Sequence, residues 1–112
     1  MTTIFQKIID REMPADIVHE DQLCLAFRDI QPQAPTHILL IPKKPIPTLD
    51  DIQPEDQALL GHLLLQIPVI AQKYALTSGY RTIINCKEHG GQVVYHLHIH
   101  ILGGHPMQHP LG

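Results

Sequence analysis

The chain has 112 residues, 44% of them hydrophobic and 4% aromatic, with no Trp and a formal net charge of -3; that is the size of one domain, expected over 1–112, around a core of Leu, Ile and Val. The mild negative charge excludes the basic face that duplex nucleic acid requires, and no stretch reaches the roughly 18 apolar residues of a membrane span. Cys24 and Cys86 show neither CxxC spacing nor the density of a disulfide scaffold, and the segment before Lys7 lacks the apolar run of a signal peptide, so a cytoplasmic setting is expected.

Ile4, Phe5, Ile8 and Ile9 recur at the spacing of a short amphipathic helix over residues 3–9, ended by the turn Met13-Pro14-Ala15-Asp16. Residues 17–20 and 23–29 read as a hairpin of two short strands joined by Glu20-Asp21-Gln22. Residues 30–35 follow as loop, because Pro32 and Pro35 each restrict themselves and the residue before them. Residues 36–41 read as a central strand that ends at Pro42, with a proline-rich exit over 42–47.

One long helix is expected to start near Gln53-Pro54-Glu55-Asp56, where Pro suits the first helical position and two acids suit the positive helix end. Leu60, Leu63, Leu64, Ile67, Ile70, Ala71 and Tyr74 then recur on one face. Pro68 deletes the hydrogen bond to the Leu64 carbonyl, a loss of about 3 kcal/mol if uncompensated; because the apolar spacing continues through it, a kink is expected rather than a helix end. Leu59, Leu65 and Val69 add apolar residues outside that face, which predicts a C2 homodimer through this helix. A strand over 80–86, a loop over 87–92 and a strand over 93–102 complete an α+β fold.

Nine residues are histidine, and three of them fall within five positions, in His96-Leu97-His98-Ile99-His100-Ile101-Leu102. Strict alternation puts the three imidazoles on one face of a strand and the aliphatic residues on the other. Zinc chelation is one reading, but at about 3.3 Å per residue His96 and His100 stand about 13 Å apart, whereas ligands of one zinc lie within roughly 4 Å of each other. Two of the three with a further ligand such as His37 stay open as a metal site. The other reading is nucleophilic attack on phosphorus by the middle residue, His98, since a neutral imidazole is available near pH 7. Gly90-Gly91-Gln92 upstream offers close backbone approach for a phosphate. No Lys or Arg shares the face, which favours a monophosphate-sized group over a polyphosphate.

The triad with its apolar spacers resembles the signature of the histidine triad (HIT) family, HxHxHxx. Tyr95 and Gly103-Gly104 flank it in the same way. Asp29-Ile30, Pro32-Gln33-Ala34-Pro35-Thr36-His37, Ile41-Pro42-Lys43-Lys44, Leu60-Gly61-His62-Leu63, Gly79-Tyr80-Arg81 and Gly90-Gly91-Gln92 extend the resemblance over nearly the whole chain. Gly103-Gly104 stands where dinucleoside polyphosphate hydrolases of the family usually carry Pro-Arg, which favours the nucleotide-binding Hint branch.

The resemblance implies one HIT domain with a five-stranded antiparallel sheet, one long and one short helix, and a homodimer. It implies hydrolysis of purine nucleoside phosphoramidates through a nucleotidyl-histidine intermediate, with no cofactor. His98 would be the nucleophile, His100 would hold the phosphoryl group and leaving atom, and His37 and His96 would orient and assist proton transfer. Asp29 would hold the ribose hydroxyls with Ile30 beside the sugar, while Ile4, Phe5 and Ile8, which suit a plain core equally well, would wall the base. Asn85, Gly91 and Gln92 would face the phosphate.

Three departures stand out. Val93 replaces a Ser or Thr that related chains turn to the phosphate, and His109 stands where some animal relatives carry a Trp that reaches the partner's site. The early cysteine pair linked to zinc in some relatives is absent, so no metal is expected. The alternative function is a nucleotide-binding regulator in which hydrolysis is incidental.

Overall fold

A computed structural model describes residues 2–111, so Met1 and Gly112, the ends of the expected 1–112 domain, lie outside the described residues. Thr3 starts the first helix: its hydroxyl accepts the Gln6 N–H at 3.1 Å, and α1 (Ile4–Ile9) follows with Phe5 and Ile8 buried. Next comes a hairpin of β1 (Ile17–Glu20) and β2 (Cys24–Arg28). Its turn is held by the Asp21 carboxylate, which accepts the Leu23 and Cys24 N–H groups at 2.8 and 2.9 Å. Then come β3 (Thr36–Pro42), α2 (Gln57–Lys73), β4 (Tyr80–Ile83) and β5 (Ile99–Gly103). The sheet order is β1-β2-β3-β5-β4 with every pairing antiparallel. This is the expected α+β arrangement, with one long and one short helix.

Side-chain alternation splits the core in two. Cys24 and Ala26 of β2, Ile38 and Leu40 of β3, and Ile99 and Ile101 of β5 pack with Leu63, Ile67, Ile70 and Ala71 of α2. Leu25, Phe27, Leu39 and Ile41 point the other way, against Phe5 and Ile8 of α1. The second face is the one that carries the site.

A 3-10 turn, Pro54–Asp56, leads into α2, and the buried Asp56 carboxylate accepts the Gln53 N–H at 2.9 Å while pairing with Lys44. The helix continues through Pro68. Leu64, expected on the buried face, is instead exposed along with Leu65 and Val69, whereas Leu59 is half-buried. The core-facing stripe is therefore Leu63, Ile67, Ile70 and Ala71, narrower than the spacing suggested.

Two strands are shorter than expected. β5 begins at Ile99 rather than at residue 93, so His96 and His98 precede the strand instead of lying in it. The register that sets Leu40 opposite Ile99 would bring Pro42 opposite Leu97, and proline has no N–H to contribute to a ladder. There the Leu97 N–H bonds the Ile46 carbonyl at 2.7 Å and the His96 ring takes the Pro42 carbonyl at 2.7 Å. β4 ends at Ile83, opposite His100, rather than at residue 86, because its partner strand starts only one residue further on.

Candidate active site

β3 contributes His37, β5 contributes His100, and the segment entering β5 contributes His98. His98 and His100 stand with ring centroids 5.0 Å apart, and His37 and His100 5.2 Å apart. Phe5 of α1 meets the His98 ring edge-on at 5.1 Å and the His96 ring at 6.3 Å. The short helix thus packs directly against the triad.

Hydrogen bonds assign the tautomers. The Gln33 N–H donates to His37 Nδ1 at 3.0 Å, so a neutral His37 carries its proton on Nε2. That N–H donates to His100 Nδ1 at 2.9 Å, which leaves the His100 proton on Nε2. His98 Nδ1 lies 2.7 Å from the His96 carbonyl, which can only accept, so Nδ1 bears the proton and Nε2 keeps a free lone pair. His96 Nε2 donates to the Pro42 carbonyl. A nucleophilic nitrogen on His98 and an N–H donor on His100 therefore occupy adjacent rings.

Burial is the chief reason these rings stay neutral: it pushes His37, His96 and His98 below the ordinary imidazole value. His100 is pushed furthest, to about 4, by burial and then by the neighbouring His98 and His37 rings. The Asp29 carboxylate opposes the shift at His37, His98 and His100. Its Oδ2 lies 3.5 Å from His37 Nε2, and its Oδ1 accepts the Gln31 N–H at 2.9 Å.

A cavity of about 490 Å³ opens over this face. Its wall and floor are apolar, from Ile4, Phe5 and Ile8 of α1, Met13, Pro14 and Ala15 after it, and Phe27 and Leu39 of the sheet. Asp29 and Ile30 complete the lining together with Asn85, Gly91, Val93, Val94, His98 and His100. Arg28 also borders it, but its guanidinium pairs with Asp16 at 3.2 Å and lies 4.8 Å over the Tyr74 ring.

Of the residues singled out from the sequence, Ile4, Phe5, Ile8, Asp29, Ile30, Asn85, Gly91, His98 and His100 line this cavity, whereas His37, His96 and Gln92 do not. His37 is buried behind His100 and reaches the cavity through it. His96 is 1% exposed and its ring bonds the Pro42 carbonyl, which ties the segment entering β5 to the end of β3. Gln92 departs from the expected phosphate-facing position: its side-chain amide turns inward, to the Pro47 and Val94 carbonyls and the Lys87 N–H.

Sequence reasoning missed Phe27 and Leu39. Strand parity could have found them, since Leu39 shares the parity of His37 and pairs with both Phe27 and His100. His109 lies on the exposed tail, where its carbonyl accepts from Arg81 at 2.9 Å.

Two groups among the described residues bring ligand atoms within 4.8 Å of one another. Asp29, His37 and His100 form one; His19, Asp21 and Cys24 form the other. In the first, the two imidazole nitrogens already bond each other. In the second, the Asp21 carboxylate is satisfied by two backbone N–H groups and by His62 at 2.6 Å, and burial pushes the Cys24 thiol up to about 12. Both groups are accounted for by hydrogen bonding within the fold. No helix among the described residues is long and apolar enough to cross a membrane.

The HIT domain family model matches residues 10–107. A HIT-like protein of Synechococcus elongatus is 64% identical over 110 residues, covering 98% of this chain and 96% of that protein. The purine nucleoside phosphoramidase of Escherichia coli is 53% identical over 106 residues, covering 94% and 89%. Among solved structures, a HIT family hydrolase from Legionella pneumophila superposes with a TM-score of 0.95 at 48% identity, covering 99% of this chain and all of that one. A histidine triad nucleotide-binding protein from Candida albicans does so with a TM-score of 0.83 at 28% identity, covering 99% and 85%.

Proposed function

The chain belongs to the HIT domain family, and from that premise we propose that it hydrolyses purine nucleoside 5'-phosphoramidates, releasing AMP or GMP. The observation that carries this reading is the pairing of a free Nε2 lone pair on His98 with an Nε2–H on His100, beside an apolar cavity. The cavity takes a flat base against its apolar lining of Ile4, Phe5, Ile8, Phe27 and Leu39. The Asp29 carboxylate takes the ribose hydroxyls next to Ile30. Asn85, Gly91 and the Val93 and Val94 backbone face the phosphate.

His98 Nε2 bonds to the α-phosphorus as the P–N bond breaks, and the amine leaves with a proton passed through His100 Nε2 and restored from solvent. Water then attacks the nucleotidyl-histidine, releasing the monophosphate and returning the lone pair to His98. The His37 N–H keeps His100 in the tautomer that donates. Each cycle consumes one water and needs no metal. Arg28 is engaged with Asp16, which fits a single phosphate better than a polyphosphate.

The protein acts as one domain, 1–112, in a C2 homodimer and in the cytoplasm; the exposed Leu64, Leu65 and Val69 of α2 support the first of these assemblies, and two free cysteines suit a reducing setting. Val93 favours a second reading, a nucleotide-binding regulator with slow turnover, because it supplies no hydroxyl to the phosphate. Steady-state turnover of adenosine phosphoramidate, set beside affinity for AMP, separates the two. Release of AMP over many cycles supports the hydrolase; tight AMP binding without turnover overturns it.

A further inference from the structure

Gln92 is 7% exposed and uses both ends of its side-chain amide. Its Oε1 accepts the Lys87 N–H at 2.8 Å, and its Nε2 donates to the Pro47 carbonyl at 2.8 Å and to the Val94 carbonyl at 3.1 Å. Its backbone N–H donates to the Lys87 carbonyl at 2.9 Å. Lys87 sits at φ 62°, ψ -171°, a conformation that residues with a side chain hold only when their surroundings over-determine it. Gln92 holds Lys87 from both sides, through its N–H and its C=O.

The segment so pinned is the phosphate rim. Asn85 donates to the Gly90 carbonyl at 2.7 Å, Gly91 takes φ 83°, and Val93 and Val94 are among the cavity's lining residues, their N–H groups having no acceptor among the described residues. The base-binding half comes from other elements, α1 and the β2–β3 floor. We propose that Gln92 is a positioning residue for the phosphate half of the cavity: without touching the nucleotide, it holds the backbone that receives the phosphoryl oxygens. The inference rests on the proposed function. The residue must be an amide, since a carboxylate keeps the acceptor but loses the donor and brings charge against two carbonyls.

The test compares equilibrium binding of AMP and of adenosine to the native protein, Gln92→Ala and Gln92→Glu. The expected result is a loss of AMP affinity of about tenfold or more, from misplaced phosphate donors, with adenosine affinity changed by less than about twofold. A general loss of stability would weaken both ligands together and leave their ratio alone. Gln92→Glu is nearly isosteric and carries the same comparison should the alanine variant fail to fold. If the native protein prefers AMP and the folded variants keep the native AMP-to-adenosine ratio, the assignment of Gln92 is overturned while the proposed function stands. If the native protein binds AMP no more tightly than adenosine, both are overturned.

Discussion

His98 owes its free lone pair to the backbone carbonyl two residues before it, and His100 owes its donor N–H to a chain of bonds that begins at the Gln33 amide. Neutrality of these rings has a consequence for pH. Their folded-state values lie below the unfolded imidazole value of about 6.5, so below that pH the unfolded chain binds more protons than the native one, and stability falls. The stability is fully present above about 6.5 and, for His100, is lost as pH falls towards about 4. Urea unfolding at pH 7 and pH 5 should show the lower midpoint at pH 5, and His100→Asn should narrow the gap; an unchanged gap would contradict the role of burial. The acid limb of kcat/KM should likewise lie below 6.5, where His98 Nε2 becomes protonated. The alternation of the triad made His98 legible in the sequence. The donor from Gln33 was not, since it depends on how the loop before β3 closes, and Gln92, placed at the phosphate by the resemblance, turns its side-chain amide inward to the Pro47 and Val94 carbonyls.

At the scale of elements, alternation reports which way side chains face and not whether a strand is paired. The alternation begins at His96, yet the ladder starts only at Ile99, because Pro42 cannot extend it. Strand existence was legible, and strand ends were set by partners that no local pattern contains. The same holds for Gly103-Gly104: at Gly104, φ is 100° and an added Cβ would stand 2.8 Å from the Pro35 Cβ. Gly104→Ala is therefore expected to destabilise the protein by about 1–3 kcal/mol, read as a drop in the urea midpoint. A midpoint equal to that of the native protein would show that the β5 exit and the Pro35 loop are not locked together. In α2, the apolar spacing marked the helix but placed Leu64 on the wrong side, because the sheet receives a narrower stripe than a helical wheel suggests.

For the whole molecule, the five-stranded arrangement was legible through the resemblance, since composition and period alone gave only an α+β fold. The exposed apolar positions of α2 lie outside the core that packs it, and β4 is an edge strand with Tyr80 exposed; an unpaired edge and an exposed apolar helix face each favour self-association. Light scattering at micromolar concentration should give twice the chain mass of 12.6 kDa, and a mass of one chain would remove the dimer from the account. Activity should also survive dialysis against EDTA, because the His37 and His100 nitrogens that stand near Asp29 already bond each other; loss restored by Zn²⁺ would oppose this. Rapid quench with labelled adenosine phosphoramidate reads out whether His98 carries the nucleotide. A transient adenylyl group on His98 is expected in the native protein, and in His98→Ala no adduct, turnover lower by several orders of magnitude and AMP still bound. Label trapped on another residue, or near-native release of AMP by His98→Ala, would contradict it.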